Sequence, residues 1–134
     1  MKAKRIAVVY IPNRLDSISS AEKIFSKIVS ELEDSGLEIK HSNKVLTLFD
    51  NATKVEKVPF GKAMIGMRIT HMYIDSNVLE LEGGERFVNE ALMPCVIPSG
   101  SYANLDATEE VKERVFIFDL KGNTEKYFKD HWQM

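Results

Sequence analysis

The sequence has one cysteine in 134 residues, Cys95, so an internal disulfide and a cysteine-rich metal site are both excluded. It also lacks any apolar run near the ~18 residues that a membrane-spanning helix requires. The apolar run that follows Met1–Arg5 is too short for a signal peptide. We therefore expect no membrane partner and a cytoplasmic location.

A strong charge of either sign is missing as well. Eighteen Lys and Arg residues oppose twenty Asp and Glu residues, which gives a net charge of −2. Domains that bind nucleic acid non-specifically are usually clearly basic, so we expect no direct nucleic-acid partner, although a local basic patch stays possible. The length predicts a single domain over residues 1–134.

Motifs that hold cofactors or perform catalysis are absent too. The seven glycines form no phosphate-binding loop, and His41, His71 and His131 lie too far apart for a histidine pair. Ser99–Ser101 lacks the pattern of a nucleophile elbow, and Cys95 between two prolines is more typical of a buried or loop cysteine than of a nucleophile. The sequence thus predicts no cofactor, no metal and no catalytic residue, and an enzyme is the less favoured alternative.

The first part of the chain predicts a strand followed by a helix. Residues 5–11 form a short, apolar, β-branched run typical of a buried strand. A helix is predicted over 19–35, with Ser19 and Glu22 as a capping box and Gly36 at the C-terminal turn. Its apolar face comprises Ala21, Ile24, Phe25, Ile28, Val29 and Leu32.

The middle of the chain predicts further strands. Residues 44–49 predict a strand, which is followed by a polar loop with Pro59 and Gly61. Residues 62–74 predict a second strand, because successive side chains alternate between two faces. Residues 78–88 predict a β-hairpin, because Gly83-Gly84 supplies the positive φ of a two-residue turn.

The last third predicts a strand over 96–105, broken by a proline and therefore at a sheet edge, and then a helix that starts near Thr108. Residues 114–120 fit a helix or a strand, and the helix is favoured; a short amphipathic helix closes the chain. The element order predicts an α+β fold: an antiparallel sheet with helices on one face, built from pseudo-repeated β-α-β-β units. An exposed edge at 96–105 predicts a homodimer.

Two groups of side chains are candidates for ligand binding. Glu80, Glu82 and Glu85 surround the predicted turn, where carboxylates beside aromatic rings recognise organic cations; the alternative is a solvated strand face. The methionines and aromatic residues either line an adaptable binding surface or fill a small core.

Residues 96–103, VIPSGSYA, resemble the strand "I-P-x-G-x-Y-A" of the GyrI-like small-molecule-binding family, the effector domains of AraC-type and MerR-type activators. That resemblance implies two β-α-β-β units with a ligand cleft between them. This family usually has two further strands after its second helix; we expect neither of them here unless residues 114–120 form a strand, and the sequence predicts no helix-turn-helix.

The leading hypothesis is therefore non-enzymatic binding of a small, partly apolar molecule, with an organic cation among the candidates. Its predicted ligand-binding residues are Tyr10, Phe49, Met67, Glu80, Glu82, Tyr102 and Trp132. One alternative is a hydrolase that uses Glu82 and Tyr102, since some relatives in the family resemble hydrolases. A second alternative is a module that binds a protein or captures a nucleotide, with Lys62, Arg68 and Arg86 meeting the phosphates.

Overall fold

A computed structural model describes the chain over residues 4–50, 52–61, 64, 67–92, 95–96 and 114–127. The elements in chain order are β1 (Arg5–Tyr10), α1 (Leu15–Asp34), β2 (Ile39–Ser42), β3 (Leu46–Phe49), β4 (Lys54–Pro59), β5 (His71–Asp75), a 3₁₀ helix (Ser76–Glu80), α2 (Gly84–Phe87), a π-helical turn (Val88–Leu92), β6 (Val115–Phe118) and β7 (Thr124–Lys126). The predicted mixture of α and β structure is confirmed.

The seven strands lie in one sheet, in the order β2-β3-β4-β1-β5-β6-β7. Strands β4, β1, β5 and β6 are parallel to one another. The pairs β2–β3, β3–β4 and β6–β7 are antiparallel. The expected antiparallel sheet is therefore found only toward the two edges, because parallel strands occupy the centre.

Strand β1 explains this arrangement, since it is buried on both sides. Ile6 and Val8 pack in one apolar cluster with α1, whereas Ala7 and Val9 pack in a second cluster on the opposite face. That second cluster includes residues of the 3₁₀ helix and the π-helical turn. The expectation of helices on one face is wrong: a continuous apolar strand needs cover on both faces, as parallel strands usually do.

Helix α1 has the predicted apolar face but begins earlier. Its first residue is Leu15, and the preceding Arg14 makes no side-chain cap hydrogen bond. Ser19 and Glu22 therefore lie inside the helix and do not form the expected capping box. Gly36 follows the helix with a φ of 100°, as predicted for this turn.

Strand β4 was expected to be a polar loop. It pairs in parallel with β1, with Ile6 opposite Val55, and Val55 is fully buried. The polar character of this stretch suggested a loop, but Glu56 forms an ion pair with the neighbouring strand, 3.0 Å from the Arg5 guanidinium. Strand β2 was also missed, since all four of its residues are exposed.

The predicted hairpin at 78–88 is wrong, because this stretch is helical. Gly83 has the expected positive φ of 71°, but it leads into α2 instead of a returning strand. Gly84 packs so closely that an added Cβ would lie 1.9 Å from the Val78 carbonyl oxygen. Both glycines therefore serve a tight junction between two helical turns.

Residues 115–118 form strand β6, so the favoured helix at 114–120 is wrong. The run Val-Phe-Ile-Phe pairs in parallel with β5 and turns back through Gly122, whose φ is 91°. Of the predicted strand 62–74, residues 71–74 lie in β5, which extends one residue further to Asp75, and Ile69 adds one bridge to Val96. The helix near Thr108, the closing helix after Tyr127 and nearly all of the strand 96–105 lie outside the described residues, so the pseudo-repeat stays a prediction.

Candidate ligand-binding site

The carboxyl ends of β1, β5 and β6 lie along one side of the sheet, which we call the carboxyl edge. After β1 the chain enters α1 on one face, whereas after β5 it enters the 3₁₀ helix on the other. Neighbouring parallel strands whose connections leave toward opposite faces enclose a crevice, and open α/β sheets bind their ligands at such a point. The topology therefore predicts that a ligand would bind at the carboxyl edge.

A buried hydrogen-bond network holds the carboxyl edge together. Ser17 in the first turn of α1 donates to the Asp75 carboxylate at the end of β5, and its hydroxyl oxygen accepts from the Ile11 backbone N–H at 2.8 Å. The other Asp75 oxygen accepts from the backbone and the side chain of Asn77, at 2.8 and 3.0 Å. Ser17 and Asp75 are both fully buried, so these bonds offset the desolvation of a buried carboxylate.

Charged side chains surround this network. Arg14 and Asp16 form a bidentate pair at 3.0 and 2.8 Å. Hydrogen bonding to the guanidinium lowers the pKa of Asp16. The same bond raises the pKa of Arg14, and the charges of Asp16, Asp75 and Glu80 add to that rise. Three carboxylates therefore act on one arginine at this edge.

The turn between β6 and β7 completes the carboxyl edge. Asp119 accepts from the backbone N–H groups of Lys121 and Asn123, and the Asn123 bond is the main cause of the lowered pKa of Asp119. Ser20 of α1 donates to the Leu120 carbonyl at 3.0 Å, which ties the turn to the helix. The turn is thus held in place with an ionised carboxylate at its base.

A cavity of about 160 Å³ opens beside this turn, and we call it the edge cavity. Its lining comes from the residue after β5 and from both strands of the hairpin: Ser76, Ile117, Phe118, Asp119, Asn123, Thr124 and Glu125. Ile117 and Phe118 are buried on opposite faces of the sheet, so little of either side chain reaches the cavity, while Glu125 is exposed. The cavity therefore combines a limited apolar surface with carboxylates.

A second cavity, of about 510 Å³, lies beside α2 and is lined by Glu85, Arg86, Asn89 and Glu90. Arg86 already pairs with Glu90 at 3.1 Å, and Asn89 accepts a hydrogen bond from the Tyr127 hydroxyl at 2.7 Å. The described lining comes from one helical stretch alone. The edge cavity, which three elements and a buried network position, is the better defined of the two.

The residues predicted to bind a ligand do not converge. Phe49 is fully buried in the cluster under α1, and Tyr10 packs against that same cluster. Met67 packs against the cluster on the opposite face of the sheet. The sheet lies between Met67 and the other two side chains, so within the described residues the three do not line one common cleft.

The remaining predicted residues are exposed or fall outside the described residues. Glu80 ends the 3₁₀ helix and Glu82 lies in the turn that follows, both exposed. Glu80 is near enough to the carboxyl edge to act on Arg14. Tyr102 and Trp132 lie outside the described residues.

Sequence reasoning missed the residues that build the carboxyl edge. One signal was available: Asp75-Ser76-Asn77 directly follows an apolar strand, which is where polar residues of parallel sheets reach the binding edge. That signal needs the strands to be parallel, and an antiparallel sheet was expected. Glu125 carried no local signal.

Metal-ligand clusters and membrane-spanning helices were looked for among the described residues. In that part of the chain, no group of three or more His, Cys, Asp or Glu is placed to hold a metal ion. None of the helices described there is both long and apolar enough to cross a membrane. Cys95 is buried in the apolar cluster opposite α1.

Comparison with known proteins gives no further guidance. No family model, no curated protein and no solved structure matches this chain. The functional argument therefore depends on the geometry and charge of the carboxyl edge.

Proposed function

We propose that the protein binds a small, partly apolar organic cation in the edge cavity and performs no chemistry on it. The observation that carries this proposal is a cavity at the carboxyl edge, lined by the residue after β5 and by the β6–β7 hairpin, with the carboxylates of Asp119 and Glu125 in its lining. It lies on the same edge as the β1–β5 crevice, which is the position at which open α/β sheets bind ligands. The chemistry agrees with the ligand class that the sequence suggested.

The volume of the edge cavity limits the size of the ligand. Pockets for drug-sized molecules usually measure ~300–1,000 Å³, whereas the edge cavity measures about 160 Å³. It accommodates one small ring or a short aliphatic chain with a single charged group. A large lipophilic drug does not fit.

The carboxylates in the lining of the edge cavity favour a cationic ligand. The Glu125 side chain makes no hydrogen bond or ion pair with any other described residue, so its carboxylate is available to a ligand. Asp119 is held ionised by its backbone donors. An ammonium group between these carboxylates forms charge-assisted hydrogen bonds, while its apolar part contacts the exposed part of Ile117, which lies opposite Glu125 in the hairpin.

A matched pair of probes tests this proposal. Benzylamine is cationic at neutral pH, and benzyl alcohol has nearly the same shape without the charge. A ligand at 100 times its Kd stabilises the folded protein by ~2.7 kcal/mol, which raises Tm by several degrees. We expect benzylamine to raise Tm in a concentration-dependent way and benzyl alcohol to leave it nearly unchanged.

A substitution then locates the site. Glu125→Gln removes the charge at the rim and should weaken benzylamine binding about tenfold, the effect of losing one charged hydrogen bond. Glu33→Gln removes an exposed charge from the end of α1, away from the cavity, and serves as the control. Equal shifts from the two probes, or equal losses in the two variants, would exclude this function.

The other hypotheses stay predictions. The hydrolase needs Tyr102, and the homodimer was expected at 96–105, both essentially outside the described residues. No described contact favours either of them over cation binding.

A further inference from the structure

Strand β2 is the end strand of the sheet, and it pairs with β3 on one side only. In the part of the chain that the structure describes, no strand lies along its other side. All four residues of β2 are exposed, and Ile39 keeps an exposed fraction of 40% although its side chain is large and apolar. An open strand edge with an apolar side chain is a template on which another strand can pair.

The backbone of Ile39 presents its hydrogen-bonding groups on this open side. Ile39 lies opposite Phe49 of β3, and the Asp50 N–H donates to the carbonyl of Glu38, the residue before Ile39, at 3.2 Å. Along an antiparallel strand, residues that bond to the neighbouring strand alternate with residues whose backbone groups point away from it. The N–H and C=O of Ile39 therefore point out of the sheet, toward a second strand.

The side chains next to Ile39 are complementary to those of a second copy of β2. Glu38 and Lys40 are both exposed, and neither side chain has a hydrogen bond or an ion pair with a described residue. If two copies of β2 pair antiparallel about Ile39, the two Ile39 residues lie opposite each other. Glu38 of each copy then lies opposite Lys40 of the other. Opposite charges that face each other across a strand pair stabilise it, and like charges destabilise it.

The same features disfavour an unrelated strand. A lysine and a bulge on an end strand usually prevent edge-to-edge pairing, and β2 has Lys40 and a bulge between Ile39 and His41. A second copy of β2 supplies the carboxylate that Lys40 lacks. Because the bulge keeps the pairing short, the contact falls among the small interfaces, below ~1,200 Å², that are typical of weak and reversible complexes.

We propose that β2 pairs antiparallel with β2 of a second copy of this chain, centred on Ile39, and joins the two seven-stranded sheets into one. A contact between two identical strands closes after two copies, whereas β2 against β7 of another copy would continue into a filament. This surface differs from the edge at 96–105 that the sequence suggested for a dimer. The proposal is independent of cation binding, because the edge cavity lies beside β6 and β7 at the other end of the sheet.

Charge reversal tests both the surface and the register. In sedimentation velocity, the mass of the unmodified protein should rise from one chain toward two between micromolar and millimolar concentration. Glu38→Lys puts two lysines opposite each other and Lys40→Glu puts two glutamates opposite each other, so each should weaken dimerisation about tenfold or more. The variant that carries both substitutions restores opposite charges and should dimerise like the unmodified protein. An equimolar mixture of the two single variants should form a mixed dimer.

Two more variants control this experiment. Lys27→Glu makes the same change of net charge on the exposed side of α1 and should leave dimerisation unchanged. Ile39→Pro removes an N–H that does not bond to β3, so the folded chain should keep its circular dichroism spectrum and lose the dimer. The proposal is overturned if the unmodified protein stays monomeric at millimolar concentration or if the dimer survives Ile39→Pro. It is also overturned if the double charge variant does not restore dimerisation, or if Lys27→Glu weakens dimerisation as much as Lys40→Glu.

Discussion

The Ser17 hydroxyl donates to the Asp75 carboxylate across 58 residues of sequence, and this bond joins the start of α1 to the end of β5. Both side chains are fully buried at the carboxyl edge. The hydroxyl oxygen also accepts from the Ile11 backbone, so one serine fixes the positions of three elements. This bond lies next to the edge cavity, because Ser76, which follows Asp75, is part of the cavity lining.

Replacing this serine should therefore reduce stability. Ser17→Ala leaves the Ile11 N–H and one Asp75 oxygen buried without a partner, at a cost of about 1–3 kcal/mol in the free energy of unfolding. Urea denaturation measures that loss. Ser19→Ala, on the exposed face of the same helix, is the control and should change the free energy by less than ~0.5 kcal/mol. Equal losses of unfolding free energy in the two variants would show that the buried network does not contribute to stability.

A second prediction concerns the junction between the 3₁₀ helix and α2. Gly84→Ala would place a Cβ 1.9 Å from the Val78 carbonyl oxygen, so the backbone must shift. We expect a loss of ~1–3 kcal/mol or more in unfolding free energy. Gly61→Ala meets no atom within 4 Å and has no positive φ, so it should be neutral or slightly stabilising.

Thermal or chemical unfolding of these two variants distinguishes the helical junction from the hairpin that the sequence predicted. In a hairpin with a Gly-Gly turn, Gly84 would occupy an open loop position. A tolerated Gly84→Ala substitution would contradict the structure described for 76–92.

The pH dependence of stability should include a contribution from His71. Burial, with Arg114 and Lys4 nearby, lowers its folded pKa to about 4 from an ordinary value of 6.5. The unfolded chain then binds a proton that the folded chain does not, so stability is full above pH 6.5 and falls as the pH drops toward 4. In His71→Gln the loss of stability between pH 7.5 and pH 5 should be smaller.

His41→Gln provides the control for this experiment, because His41 is exposed on β2. Denaturation at the two pH values should give the His41 variant the same difference as the unmodified protein. If the His71 variant keeps the full difference, the titration of His71 does not explain the acid sensitivity.

A further prediction concerns the ion pairs that hold β4 against β1. Glu56→Gln removes the carboxylate shared by Arg5 and Lys54. We expect a loss of about 0.5–1 kcal/mol in unfolding free energy, because two partly exposed ion pairs are lost together. Urea denaturation that shows no loss would contradict a stabilising role for these pairs.

The sequence predicted the elements whose signal is local. The apolar run of β1 and the 3.6-residue period of α1 both need only their own residues, and both elements are present. Strand β4 was missed because the charge of Glu56 is satisfied by Arg5, 51 residues away. The short apolar runs at 76–92 and 115–118 fit a helix or a strand equally well. Contacts with distant parts of the chain determine that the first is helical and the second is a strand.

The candidate site was harder to predict for the same reason. Ser17, Asp75 and Asp119 come from three separate segments, and only the parallel order of β1, β5 and β6 brings them to one edge. Phe49 looked like a binding residue because aromatic residues serve both roles, but it is fully buried in the core. Ligand binding by Glu80 stays a prediction, although its charge acts on Arg14 at the carboxyl edge.

The most direct test of the central claim is an NMR titration of the ¹⁵N-labelled protein with benzylamine. Binding in the edge cavity predicts saturable shifts of the backbone amides of Ser76, Asn123 and Glu125, and no such shifts with benzyl alcohol. Shifts that centre on Glu85–Glu90, or none at all at millimolar benzylamine, would contradict it.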